Sequence, residues 1–355
     1  MRSFDRQGDA QVFLNSTEVE IRQGQWVDPN AGKIPYSDWH TEWWATTVNL
    51  RPSTRSRDDG YFHRYVIPTF GSRHIGSINQ MDVRGWAAGL VARDLAPATV
   101  TKAYQLLAKS MVAAVDAGLL ARTPCRNVDL PRIERQEMRF LTPLEVRSLS
   151  EAINPRYRAL VLLGAYGGLR IGEMAGLKVG RVNPLKGTVE VAETLVEVAG
   201  HLVCNQPKTR AGRRVVGLPS FVMTALKEHM AAFCDNAPDS LLFTAPQGGP
   251  LRVPAFRRRV WQRAVNESGL APLRLHDLRH TAISLWIYAG ANIKEVAVRA
   301  GHTSVAFTLD RYGHLYGDSD LMLRNKLDAM ADDAENQTIP QVHRLGGGPG
   351  GVTLS

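Results

Sequence analysis

The sequence predicts a mainly α protein with a small antiparallel β-sheet, split into a smaller helical region and a larger mixed one. Three observations lead there. Apolar residues recur at helical spacing over most of the chain; strand-like alternation is confined to residues 187–217; and a charged, proline-punctuated stretch, NVDLPRIERQEMR, separates two patterned runs. At 355 residues the chain is long enough for two or three domains of about 150 residues, each with a real core.

In chain order, residues 1–25 read as one helix with Asp9 as N-cap and Val12, Phe13, Val19 and Ile21 as a partial apolar stripe. DPNAGKIP then breaks the pattern. Helices are expected near residues 36–50, 56–66, 79–92 and 97–117, with Pro97 in a first turn and Gly118 as a C-terminal cap. Tyr36, Trp39, Trp43 and Trp44 fall mostly on one face, so they are expected in a core, as are Trp86 and Tyr104, rather than on a base-stacking surface. This gives a helical domain over 33–127 and a linker over 128–140.

The larger domain spans 141–331. It opens on Thr142-Pro143-Leu144-Glu145, which supplies an N-cap, a first-turn proline and an N3 acid. Helices are expected near 143–152, 156–167 and 171–177. TVEVAETLVEV and RRVVGL, with HLVCNQ between them, read as strands of a short antiparallel sheet, and helical signals return after Pro219. Residues 332–355 are glycine-rich and read as a flexible tail.

Composition narrows the function. Lys and Arg total 43 against 34 Asp and Glu, a net charge of +9 that favours a polyanionic partner such as nucleic acid. Cys125, Cys204 and Cys234 form no disulfide or CxxC pattern, which fits a reducing cytoplasm. The apolar run 159–169 is well short of the roughly 18 residues of a spanning helix, and MRSFDRQGDA lacks the apolar segment of an export signal. No internal repeat and no GxxxxGK[ST] loop occur, which disfavours ATP-driven chemistry.

Four segments concentrate phosphate-binding and proton-transfer groups. In Gly167-Gly168-Leu169-Arg170-Ile171-Gly172-Glu173 a glycine pair precedes an arginine that opens a helix; Arg170 there either meets a phosphate or pairs with Glu173. In Pro207-Lys208-Thr209-Arg210-Ala211-Gly212-Arg213-Arg214 a basic turn can carry Lys208 into a ligand, where an ammonium can protonate a leaving oxygen, or can simply be solvated. In Arg274-Leu275-His276-Asp277-Leu278-Arg279-His280, His276 and Arg279 share a helical face, while His276 and His280 admit a rival metal-ligand reading that lacks the Glu of HExxH. The fourth runs from Ala300-Gly301-His302 to Tyr312 in Leu309-Asp310-Arg311-Tyr312-Gly313-His314.

Together and in this order, these motifs resemble the tyrosine recombinase family of the phage-integrase type, over about residues 36–331. The resemblance implies a helical core-binding domain that clamps DNA opposite a catalytic domain. It implies that Arg170, Lys208, His276, Arg279 and His302 surround a scissile DNA phosphate, with Tyr312 as the nucleophile. In that chemistry Arg170 and Arg279 stabilise the pentacoordinate phosphorus without metal or other cofactor, and Lys208 protonates the departing 5′ oxygen. His276 assists proton transfer from Tyr312, whose free pKa is near 10, and His302 donates to a nonbridging oxygen. The 3′-phosphotyrosyl product keeps the bond energy for religation.

Tyr316 competes with Tyr312, but the resemblance implies Tyr312, since the family pattern of Gly-His, an apolar helix and then Leu-Asp-x-Tyr-Gly-His-Leu falls on it; His280 and His314 are then supporting or structural residues. The chain departs from the family in having Ala300 rather than Leu before Gly-His, and in showing only the helix that would end a three-stranded arm-binding domain. A noncatalytic DNA-binding regulator and a metal-dependent nuclease remain as alternatives. Exchanging two duplexes needs four cleavages, so a homotetramer on double-stranded attachment-site DNA is expected, with an accessory host factor or a directionality factor as further expected partners. Leu321, Leu323, Leu327 and Met330, in the helix near 319–330, offer apolar contacts either to a neighbouring subunit or to their own domain.

Overall fold

The computed structural model describes residues 6–8, 11, 14–15, 18, 28, 30–134, 137–206, 212–235, 237–317 and 319–336. The helix expected over residues 1–25, the tail beyond 336 and Lys208 lie outside the described residues, save the few positions named. Two compact units result: Met1–Met138 with Thr194–Asn205 and Ala245–Phe256, and Arg139–Glu193 with Gln206–Thr244 and Arg257–Ser355. Among the described residues no helix is long and apolar enough to cross a membrane.

In the first unit, α1 (Tyr36–Thr46) stops short of residue 50, because the Thr46 and Thr47 hydroxyls donate to the Trp43 and Trp44 carbonyls and compete with the helix ladder. Next comes α2 (Pro52–Tyr61), which begins four residues before the expected start and runs through a π-helical turn, Phe62–Val66, into α3 (Ile67–Phe70). Pro52 occupies its first turn; the polar PSTRSRDD segment has no apolar stripe to announce a helix. A capping box of Asn79 and Asp82 opens α4 (Gln80–Ala92). After α5 (Pro97–Asp116), Gly118 at φ +73° lets Leu119 N–H donate to the Ala114 carbonyl and Gly118 N–H to Val115.

These helices bury one aromatic core of Tyr36, Trp39, Trp43, Trp44, Phe62, Phe70 and Trp86. Burial satisfies the indoles: Trp39 Nε1 donates to Ser110 and Trp86 Nε1 to the Tyr65 carbonyl. Tyr104 is only half-buried, its hydroxyl donating to the Cys125 carbonyl.

The single sheet expected over 187–217 is two sheets. In the second unit β1 (Val182–Asn183), β2 (Thr188–Val191) and β5 (Arg214–Gly217) form one antiparallel sheet in that order. The other, β3 (Thr194–Val198) and β4 (His201–Asn205), is a hairpin belonging to the first unit, where β3 packs on α2. Ala199 and Gly200, both at positive φ, close it as a two-residue turn. The change of sheet falls at Ala192-Glu193-Thr194, where the alternation of TVEVAETLVEV lapses for only three residues between two β-branched runs.

The second unit is built around α7 (Arg158–Gly167), which packs against α6 (Pro143–Ala152), α9 (Ser220–Phe233) and α12 (Asp277–Tyr288). Thr142 and Glu145 cap α6 reciprocally. A Cβ on Gly164 would lie 2.9 Å from Leu278 Cδ1, so a glycine there lets α7 and α12 approach closely. After α7 comes α8 (Ile171–Ala175), two residues shorter than expected because Leu177 pairs its carbonyl with Leu242 N–H. The remaining helices are α10 (Val253–Phe256), which the unit division places with the first unit, α11 (Gln262–Glu267), α13 (Ile293–Ala300), α14 (Val305–Tyr312) and α15 (Ser319–Asn336).

Candidate active site

The site assembles at the end of α13. Its last turn closes on Gly301 at φ +66°, with Gly301 N–H donating to Val298 and His302 N–H to Ala297. The Gly-His pair is therefore a helix cap that delivers the His302 ring, and the buried Ala300 before it fits without the larger leucine side chain. Helix ends leave carbonyls without partners. Here three successive ones accept from three different arginines: Arg299 O from Arg214 Nε at 2.8 Å, Ala300 O from Arg279 Nη2, and Gly301 O from Arg170 Nη2 at 3.4 Å. Guanidinium charge at this negative helix terminus is electrostatically favoured.

Arg170 is the N-cap of α8, reached through Gly168 in the left-handed region. A Cβ at Gly168 would meet Trp286 at 2.5 Å, so the glycine is required both for φ and for space. Of the two readings of Arg170 the structure shows the pairing: Glu173 accepts from its backbone N–H and its Nη1, each at 2.8 Å, and the side chain stays part-exposed. Glu173 is buried. Burial works against its ionisation, yet hydrogen bonds and charge from Arg214 and Arg170 hold its carboxyl below the usual range.

On α12, His276 takes the N-cap position rather than a place within the helix, and Arg279 lies one turn in. Buried Asp277 accepts from Arg274 N–H at 2.8 Å and Arg274 Nη2 at 2.9 Å, which fixes the turn carrying His276. The Arg279 guanidinium is 2% exposed and also donates to the Gly168 carbonyl at 2.7 Å. Burial and the neighbouring Arg170 push it down to about 9, which leaves it protonated at pH 7.

Tyr312 ends α14 and is buried, its hydroxyl 2.6 Å from His280 Nδ1. The His302 ring stacks parallel to it with centroids 6.3 Å apart, and His302 Nδ1 lies 2.8 Å from Thr308 Oγ1. Burial raises the Tyr312 phenol, an effect that Arg279, Arg311 and Arg170 partly offset. Burial, then the charges of His276 and Arg311, lowers His280 to about 4. Burial, then Arg279, Arg170 and Arg214, lowers His302 to about 3. His276 is lowered too, by partial burial of its ring and by Arg279 and Arg170. All three imidazoles are therefore neutral at pH 7.

Of the six residues singled out in the sequence, Arg170, His276, Arg279, His302 and Tyr312 converge here, and Lys208 lies outside the described residues. The imidazole that touches the Tyr312 hydroxyl is His280, and the His276 ring lies 4.8 Å from that of His280 and edge-on to it. Tyr316 turns away and donates to the Ala291 carbonyl, and exposed His314 stands near Phe140. With His280 Nδ1 engaged by Tyr312, the two histidines do not form an open ligand pair; among the described residues no group of three or more His, Cys, Asp or Glu could hold a metal ion.

Sequence reading missed Arg214, Thr308 and Asp277. Arg214 stood in a run of cations, but strand parity marks it: Val216, two residues on, is buried and Val215 between them is exposed, so Arg214 shares the inward face.

Residues 139–318 match the model of the phage integrase family, and the chain belongs to that family. It is 28% identical over 319 residues to the integrase of Mycobacterium phage D29, covering 85% of this chain and 83% of that one. Over 292 residues it is 25% identical to the ICEBs1 integrase of Bacillus subtilis strain 168, with 79% of each chain covered. Among solved structures it resembles the Tn1549 transposon integrase in complex with a circular intermediate DNA, at a TM-score of 0.71 and 19% identity, over 83% of this chain and 99% of that chain. The protein is accordingly a tyrosine-type site-specific recombinase, an enzyme whose partner is DNA.

Proposed function

We propose that Tyr312 attacks a scissile DNA phosphate, with Arg170 and Arg279 neutralising the charge that develops on it. The observation that carries this reading is a single buried phenol set against His280 and His302, next to guanidiniums anchored on one helix end. In the step, Tyr312 Oη forms a bond to phosphorus, the bond to the 5′ oxygen breaks, and a 3′-phosphotyrosyl linkage and a 5′-hydroxyl result. His280 Nδ1, neutral, accepts the phenol proton, and His276 beside it assists. A Thr308 hydroxyl donating to Nδ1 leaves His302 with Nε2–H, a donor for a nonbridging oxygen. Lys208 protonates the leaving oxygen. Reversal of the step on a different 5′-hydroxyl rejoins the strands, integrating or excising a mobile DNA element.

The assembly we propose is a homotetramer on two attachment sites, one active site for each of four cleavages, working with accessory or directionality factors. The helical region over 33–127 serves as the core-binding domain, and 141–331 as the catalytic domain. Leu327 and Met330 of α15 are exposed, which leaves them free to contact a neighbouring subunit; the side chains of Leu321 and Leu323 lie outside the described residues.

The test is a nicked suicide substrate in EDTA, run with wild type, Tyr312→Phe and Lys208→Ala. Wild type should give a covalent protein–DNA adduct, Tyr312→Phe none, and Lys208→Ala an adduct formed on the order of 10²-fold more slowly. Strand cleavage without an adduct, abolished by EDTA, would favour a metal-dependent nuclease, and neither cleavage nor adduct on bound sites a DNA-binding regulator.

A further inference from the structure

We infer that Arg214 is a positioning residue for strand cleavage, aligning Arg170 and the His302 turn through bonds to Glu173 and to the end of α13. This rests on the proposed reading of Arg170 as a phosphate-binding group. The guanidinium is almost wholly buried on the inward face of β5, and its N–H groups tie together three places: the Glu173 carboxylate, Arg299 O and Gly212 O. Nη1 and Nη2 form a fork on Glu173, at 3.2 Å to Oε1 and 3.0 Å to Oε2. Nε donates to Arg299 O at 2.8 Å, and Nη1 also to Gly212 O at 3.2 Å, at the entrance to β5.

Two lines of alignment follow. First, Glu173 is shared: the same carboxylate that accepts from Arg214 accepts from Arg170 through both its backbone N–H and its Nη1. Without Arg214 the carboxylate keeps one charged partner, free to draw Arg170 inward and away from an incoming phosphate. Second, Arg299 O lies in the turn that Gly301 closes, three residues before His302. Arg299 returns the tie, its Nη2 donating to the Gly217 carbonyl at the far end of β5. One strand is thereby bolted at both ends to the helix terminus that holds Arg170, Arg279 and His302. A planar fork plus a third donor is a geometry that lysine cannot reproduce.

A buried Arg214 that only stabilised the fold would slow every substrate alike. If it acts through Arg170, its loss matters in proportion to the charge on the phosphate. The experiment compares full-length wild type, Arg214→Lys, Arg214→Met and Arg170→Ala in single-turnover cleavage of a suicide substrate at saturating protein. Each is run on the natural phosphodiester and on a methylphosphonate at the scissile position, which lacks the negative charge the arginines meet. DNA affinity and thermal melting are measured alongside, and Arg214→Lys keeps the buried charge should Arg214→Met fail to fold.

The inference predicts DNA affinity within about threefold of wild type, and cleavage of the phosphodiester slowed on the order of 10²-fold. On the methylphosphonate that deficit should contract at least about tenfold, in parallel with Arg170→Ala. An equal deficit on both substrates while that of Arg170→Ala contracts, or failure of both Arg214 variants to fold, makes Arg214 structural and overturns the inference. If Arg170→Ala itself shows no contraction, the phosphate-binding reading of Arg170 falls, and the inference falls with it by a distinguishable route.

Discussion

Both units have apolar interiors, but the second adds a cluster of buried charged and titratable side chains that the first, with only His40 and Asp58 buried of its described His, Asp, Glu, Lys and Arg residues, does not match. The first fills its interior with Tyr36, Trp39, Trp43, Trp44, Phe62 and Trp86, held by apolar area and edge-to-face rings such as Trp44 on Phe62, 5.4 Å apart. The second, besides its apolar core, buries Glu173 of α8, Arg214 of β5 and Asp277, Arg279 and His280 of α12. Desolvating that many charges is costly even when they are paired, and a well-packed apolar replacement is often as stable. The difference teaches that the apolar interiors of both units are explained by folding, whereas the buried charged cluster of the second is explained by the site it holds in place.

The sharpest way to break this contrast is to truncate each interior and read its opening by hydrogen exchange. Phe62→Ala should cost the first unit about 3–5 kcal/mol through lost transfer energy and an unfilled cavity. The cleavage rate of protein that is folded and bound to DNA should not change. Glu173→Gln should cost the second unit about 3 kcal/mol, since two guanidiniums lose their shared counter-charge, and should also cut cleavage. An interior that served only stability would give the same rate per folded molecule in both variants.

Acid sharpens the comparison next. Folding holds His280 near 4 and His302 near 3, against 6.5 in the unfolded chain. As pH falls below 6.5 the unfolded chain therefore binds the extra protons, so stability is whole above that pH and drains away toward 4 and then 3. Exchange protection of α12 and α14 should drop between pH 6.5 and 4.5, with His280→Gln flattening the fall; a pH-independent profile would contradict the neutral buried imidazoles. A smaller effect is expected from Thr308→Val, which removes one hydrogen bond to His302, worth about 1 kcal/mol, and slows cleavage several-fold. Smallest of all, Leu327→Glu on exposed α15 should move the melting free energy of the isolated chain by less than about 0.5 kcal/mol.

Much of this was legible in the sequence, for physical reasons. Helical spacing placed Tyr36, Trp39, Trp43 and Trp44 in the core because a one-sided aromatic stripe has nowhere else to go. Arg170, Arg279, His302 and Tyr312 were readable because short local patterns accompany them: a glycine pair before Arg170, a Gly-His cap before His302. The α2 start was hidden since PSTRSRDD buries little beyond Asp58, and the switch between sheets was hidden because the break at Ala192-Glu193-Thr194 is short and carries no Gly or Pro. The His280–Tyr312 contact joins residues 32 apart in sequence, and Arg214 reaches Glu173 from 41 away. Such pairings arise from tertiary packing and leave no local trace beyond the strand parity of Arg214.

The most direct test of the central claim, that the buried charges and imidazoles exist to serve one phenol, is to digest the trapped protein–DNA adduct and map the modified residue by fragment-ion mass spectrometry. The account predicts a 3′-nucleotide phosphate on Tyr312 and none on Tyr316. A nucleotide phosphate on Tyr316, whose hydroxyl donates to the Ala291 carbonyl, would contradict it.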